Sequence, residues 1–439
     1  MHKIDELVNG VKTITVPMQG TKTATVLVIV GTGSKYENKK NNGISHFLEH
    51  MFFKGTTKRP NTQVISNELD SLGAEFNAFT GKEYTGYWVK AEAEKIEKAM
   101  DIISDMLLNS KFDTTEINQE RGVIIEEINM KQDNPMYSVE DIFENCLYGN
   151  TPAGWDIIGT KENIVSFKRK DFTDYFSSQY GAHSITVCLA GNIGKGKKYS
   201  EFLSKYFSDK RLKERDSNFE DKVKVNDEQK KPAVILSYKK TDQAHISLGV
   251  RTFGYDHKDK LIVKMLSIIL GGSMSSRLFI NLRERKGLAY YVRTDAEHYT
   301  DTGYLTTIAG VPLNKINEAI RTIVSTYKKI GLDVKSSELK RAKDLLRGRM
   351  AINLEASDSQ ASWYARQAVM LRTINRTAKN QNDINKNINT PEELIKKIDS
   401  IKLADIKRIA KKIFVNKNLN FVAIGPYKEE KEFEGLLKL

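Results

Sequence analysis

A polar, charge-rich stretch at residues 208–231 divides the chain, and strands and helices follow one another in a similar order on both sides of it. That feature limits the fold more than any other, because a repeated run of mixed elements is most simply satisfied by two units of one architecture. Before the stretch, residues 10–14 and 23–30 read as two strands of a hairpin sheet, 74–80 and 84–91 as two more, and 184–190 as a later strand. Apolar period and capping residues predict helices at 61–72, 92–109, 115–132, 136–148 and 171–180. After it, strands are expected at 246–250, 288–294, 303–309 and 418–424, with helices at 256–270, 314–330, 337–354, 357–373, 391–401 and 404–414. The expected fold class is α+β: two structurally similar domains, each an antiparallel-rich sheet packed with helices. The expected boundaries are an N-terminal domain at 1–215, a linker at 216–231 and a C-terminal domain at 232–439.

Charge enters where partners are considered. Lys and Arg number 69 against 56 Asp and Glu, a net charge of +13, but the two signs are interspersed and no dense basic block occurs. A solvated basic surface is therefore expected, and no nucleic-acid partner. The longest unbroken aliphatic run, 26–30, is far too short for a membrane span. The first residues lack an apolar signal core and carry acidic groups early, so a cytoplasmic location is expected. Two cysteines exclude a disulfide scaffold and a Cys-rich zinc module.

The chemistry starts at His46-Phe47-Leu48-Glu49-His50. On a helix, residues four apart lie on one face, so His46 and His50 can present ring nitrogens to one point, as two ligands of a tetrahedral zinc must. Glu49 shares their turn and can accept a proton from a water activated there. The pentad is HExxH read in reverse, a zinc-hydrolase signature. Zinc needs a third protein ligand, and the predicted helix at 115–132 offers acidic residues. Glu120 and Glu127 are seven apart and share a face, while Glu126 is turned about 100° away. If that face meets the histidines, Glu127 is the better ligand, and Glu120, two turns earlier, could fix an imidazole as an acceptor. The strand around Asn77 fits an exposed sheet edge to which an extended peptide could add as a further strand.

These residues resemble the M16 metallopeptidases. The resemblance is carried by residues 43–56 around the His pentad, by 120–128 and by 159–164, and it extends over the whole chain. It implies one zinc per chain held by His46, His50 and Glu127, with Glu49 as general base. It implies that Asn77, Ala78 and Phe79 touch the substrate. In residues 282–292 it assigns Arg283 and Tyr290 to an Arg and Tyr pair that reaches the scissile bond and the oxyanion. Glu140 and Glu144 match acidic positions that family members use for a substrate arginine. Being i and i+4, they could both meet one basic side chain.

The resemblance further implies half of a clam-shaped peptidase that closes around its substrate, which favours peptides and unfolded or presequence-like segments in extended form. Because both motifs are present in one chain, a homodimer is expected, with Arg283 and Tyr290 acting on the partner's zinc site. A heterodimer with an inactive paralogue is the alternative. Two readings compete with a zinc endopeptidase. One is a non-catalytic structural or chaperone-like subunit of the same family, which the complete set His46, Glu49, His50 and Glu127 argues against. The other is a nucleic-acid-binding protein, which no aromatic-basic motif supports.

Overall fold

The computed structural model describes residues 2–194, 198–226, 228–377 and 387–439, so residue 227 of the expected linker lies outside the described residues. The described chain forms two compact units. The first lies within 1–128, 156–223 and 350–389, and the second within 129–155, 224–349 and 390–439.

The first unit holds a six-stranded sheet of β1 (Lys3–Glu6), β2 (Lys12–Pro17), β3 (Thr23–Val30), β4 (Glu75–Thr80), β5 (Thr85–Glu92) and β6 (Ile185–Gly191). Its spatial order is β1-β2-β6-β3-β5-β4. The second unit holds β7 (Ala233–Tyr238), β8 (Gln243–Thr252), β9 (Tyr291–His298), β10 (Gly303–Pro312) and β11 (Leu419–Gly425), in the order β7-β11-β8-β10-β9. Without β1, the two sheets arrange five successive strands identically: first, fifth, second, fourth, third. In each the first and fifth strands run parallel and the other pairs antiparallel. The fold is α+β, and the duplication is one of topology.

The expected hairpin between the first two predicted strands does not form. β2 pairs with β1 and with β6, and β6 separates it from β3. The reason is the sequence of β6: Ile185-Thr-Val-Cys-Leu-Ala-Gly191 is buried along its whole length, and such a strand is stable only with neighbours on both edges. Cys188 sits here, and burial pushes its thiol up.

Two helices join the sheet that their sequence neighbours do not. Helix Pro135–Tyr148 lies between β5 and β6 in the chain, yet it packs on β11, β8 and β7, with Val139, Phe143 and Leu147 buried. Helix Ser357–Ile374 follows β10, yet it packs on β3 and β6. Ala361, Ala365 and Ala368 are buried along it, and Ser357 Oγ lies 2.8 Å from Thr25 Oγ1. The contiguous division at 216–231 therefore differs from the packed units at 129–155 and at 350–389. An apolar stripe is satisfied by whichever sheet can bury it, and sequence distance does not enter.

The first unit's core also holds a buried cation. Arg59 is fully buried between helices Thr62–Ser71 and Ile96–Asn109. Its guanidinium donates to Asp105 at 2.7 Å, Asp101 at 2.6 Å and Glu68 at 3.0 Å. Among the described residues, no helix is long and apolar enough to cross a membrane.

Candidate metal centre

Helix Ile44–Met51 turns Phe47, Leu48 and Met51 into the core, which leaves His46, Glu49 and His50 on its part-exposed face. Its start is not capped by Ser45, as residue type alone suggests. Glu37, wholly buried, accepts from Gly43 N and Ser45 N at 2.8 Å each and from Asn42 Nδ2 at 2.9 Å. Burial pushes the Glu37 carboxyl up to about 7. Ser45 Oγ instead lies 2.7 Å from the Tyr175 hydroxyl. Gly43 has φ 101°, and a Cβ there would stand 2.7 Å from the Ile158 carbonyl oxygen, so only glycine fits this entry to the helix.

Helix Thr114–Asp133 brings Glu127 to the two histidines. One ligand atom from each of His46, His50 and Glu127 lies within 4.8 Å of the others. Both Nε2 atoms are 3.7 Å from Glu127 Oε2. Ligands of a tetrahedral zinc at 2.0–2.1 Å stand about 3.4 Å apart, so the donor set fits that ion in type and nearly in spacing. Among the described residues no other trio of His, Cys, Asp or Glu is so arranged.

The surroundings set each group's protonation. His50 Nδ1 is 2.8 Å from Glu120 Oε1, an arrangement in which Nδ1 donates and Nε2 faces Glu127. Burial would lower His50, but the Glu120 hydrogen bond and the charges of Glu127 and Glu49 outweigh it and hold the imidazole above its ordinary value. Burial likewise opposes ionisation of Glu120, yet hydrogen bonds from His50 and Lys54 keep its carboxyl below the usual range. Glu49 is raised by burial, although Thr80 Oγ1 donates to its Oε2 at 2.5 Å.

A pH dependence follows. If His50 is a zinc ligand, zinc must displace a proton that it holds more tightly than an ordinary histidine does. Zinc affinity should then fall as pH drops through a value above that of an ordinary histidine, with about one proton released per zinc near that point. Chelator competition across pH 5.5–8.5, a range of about 3 units around the histidine value, checks this. A flat profile would contradict it.

Asn77, Ala78 and Phe79 lie on β4, the end strand of the first sheet, which pairs with β5 on one side. Ala78 N donates to Asn77 Oδ1 at 2.8 Å. Phe79 packs over Gly86, where a Cβ would stand 2.2 Å from the ring. Thr80, which sequence reasoning missed, ends this strand and links it to Glu49.

Arg283 and Tyr290 belong to the second unit. Arg283 lies in the π-helical turn Phe279–Arg285, with its guanidinium 6.0 Å from the Tyr290 ring centre, and Tyr290 is 75% exposed. Glu140 and Glu144 are in the same unit. Glu140 pairs with Arg293 at 2.7 Å, whereas Glu144 is buried and accepts from the hydroxyls of Tyr299 and Tyr304.

The chain is similar in sequence and in fold to known proteins. Residues 12–161 match the profile described as insulinase (peptidase family M16), and residues 166–346 match that of the peptidase M16 inactive domain. An uncharacterized zinc protease of Bacillus subtilis, YmxG, is 33% identical over 407 residues, covering 92% of this chain and 94% of that protein. The β subunit of the mitochondrial-processing peptidase of Mus musculus is 29% identical, covering 94% of this chain and 82% of its own length. The crystal structure of a protease from Helicobacter pylori superposes with a TM-score of 0.86 over 97% of this chain and all of that one, at 24% identity.

Proposed function

This chain belongs to peptidase family M16, and from that membership we propose that it is a zinc-dependent endopeptidase acting on extended peptides and on unfolded or presequence-like segments. The observation that carries the reading is the triangle of His46, His50 and Glu127 with Glu49 on the same helical turn. One zinc per chain would be held by those three residues, and when bound it supplies Lewis-acid polarisation and lowers the pKa of water.

The chain's own residues have distinct tasks. Glu49 takes the proton of the attacking water and returns it to the leaving amine. Thr80 holds the Glu49 carboxylate from the end of β4, so the strand that receives the peptide also orients the base. Glu120 fixes the His50 ring. The edge of β4 that pairs with no strand among the described residues takes the peptide in extended form, with Asn77, Ala78 and Phe79 in contact, by backbone pairing that tolerates varied side chains. Arg283 and Tyr290 approach the scissile bond, and their neighbouring, partly open placement supports a joint role. Glu140 and Glu144 meet a basic substrate side chain only if it competes with Arg293 and the two tyrosines. A duplicated two-domain organisation and a cytoplasmic location complete the reading.

The test is zinc content measured together with cleavage of an unstructured, Arg-containing peptide. About one zinc per chain and cleavage that chelator abolishes and zinc restores are expected. No zinc in the purified chain and none on reconstitution would overturn the reading.

We further propose a homodimer in which Arg283 and Tyr290 serve the partner's zinc site. Mixing Glu49→Gln and Tyr290→Phe chains should then restore about a quarter of native activity, since half of randomly paired dimers carry one intact site of two. A mixture as inactive as its components would exclude sharing.

A further inference from the structure

The face that carries the two histidines continues one step further. His46, His50 and Lys54 follow at intervals of four, with Lys54 in the short 3₁₀ turn Phe52–Lys54 that prolongs the helix. Lys54 Nζ stands 2.5 Å from Glu120 Oε2, and the other oxygen of the same carboxylate, Oε1, is 2.8 Å from His50 Nδ1. The side chains of Lys54, Glu120 and His50 are 22%, 8% and 18% exposed, so this chain of contacts runs largely out of water.

We propose that Lys54 is a positioning residue for the metal centre, acting through Glu120 to hold His50 in register for zinc. The proposal rests on the reading of Glu120 given above. A carboxylate is planar, and a partner on each oxygen removes its freedom to rotate. With Oε2 tethered by Lys54, Oε1 is fixed, and with it the His50 ring whose Nε2 faces Glu127. Without the tether, a nearly buried carboxylate keeps only one of these two partners, and the ring it holds gains the freedom to swing.

Charge gives a second reason. Lys54 places an ammonium on the helix face that must receive a dication. Glu120 lies between the ammonium and His50 and neutralises it, in a setting where exposed-surface screening is weak. Glu120 therefore has two linked tasks, orienting His50 and neutralising Lys54. Removing Glu120 alone would leave the cation uncompensated beside the site.

The test is a double-mutant cycle on zinc affinity, read by chelator competition on the full chain. Glu120→Gln is expected to weaken zinc binding by about 10–100-fold, and Lys54→Met by about 10-fold, the low end for outer partners of a metal ligand. Because Lys54 acts through Glu120, the double variant should bind zinc no more weakly than Glu120→Gln alone. Lys54→Arg, which keeps a cation able to reach the carboxylate, should restore most of the affinity. In the metal-free state Lys54→Arg should unfold at the native temperature, and the three variants that break the partly buried Lys54–Glu120 pair no more than a few degrees below it.

Four results would overturn the proposal, and they can be told apart. If Glu120→Gln leaves zinc affinity unchanged, the reading of Glu120 fails and the Lys54 proposal fails with it. If Glu120→Gln weakens binding while Lys54→Met does not, or if the two losses multiply, only the Lys54 proposal fails. If metal-free Lys54→Met unfolds well below the native chain, Lys54 is a packing residue and its effect on zinc is indirect.

Discussion

Replacing Glu49 with Gln is expected to reduce peptide cleavage by about 10²–10⁴-fold, the usual contribution of a positioned general base, with zinc content unchanged. The amide has nearly the size of the carboxylate, and its oxygen can still accept the Thr80 hydrogen bond, so the helix face is not disturbed. What it loses is the capacity to take a proton. The effect should fall on kcat, with KM little changed, because the residue acts on the reacting water and not on peptide binding. Zinc analysis beside steady-state kinetics separates the outcomes. Cleavage at the native rate would remove Glu49 from the mechanism, and loss of zinc would make it a ligand.

Arg59→Met should cost stability on a comparable scale. Arg59 is fully buried and meets three carboxylates. Lys58 remains beside Asp101 and Lys98 beside Glu68, but among the described residues Asp105 keeps Thr56 and Asn109, neither of them charged. Removing one partner of a buried ion pair in this way costs about 3–5 kcal/mol. The sign with pH is fixed by the carboxylates. Burial opposes ionisation of Asp101 and of Glu68, but their hydrogen bonds to lysines and to Arg59 hold both below the ordinary range. Their stabilisation is therefore present above the unfolded-state values of about 3.9 and 4.3 and is lost as pH falls through the depressed ones. The gap between native and variant chains should be widest near neutral pH and shrink below about pH 4. Denaturant unfolding at pH 7 and pH 3.5 checks it. A gap that does not depend on pH would show that lost packing, not charge, explains the variant.

Much of this was legible in the residues because the signals were local. Helix Pro391–Ser400 is announced by Thr390, Pro391 and Glu393, and the structure closes that capping box. Helical arithmetic puts His46 with His50, and Glu120 with Glu127, on single faces, whereas the meeting of those two faces was implied by the family resemblance alone. Pairing was less legible. β6 slots between β2 and β3 from more than 150 residues away, and nothing near residues 10–30 marks the gap it fills. β1 is four residues long and partly exposed, so it carries no burial pattern to read. Glu37 caps the histidine helix from a loop, with no periodicity to betray it. Lys54 did carry a signal, its four-residue step from His50, but a lysine at a helix end reads first as a surface charge.

The exchange of helices between the two sheets has a consequence for synthesis. The strands of the first sheet are complete once Gly191 has been translated, but the helix that covers β3 and β6 ends only at Ile374. At roughly 5–20 residues per second, a ribosome would need on the order of 10–40 s to add the residues between them. During that interval the apolar face of β3 and β6 has no native cover, so the nascent chain should be a chaperone client for longer than its size alone suggests. A gene split within the 208–231 stretch would yield two products, each missing a wall that only the other can supply.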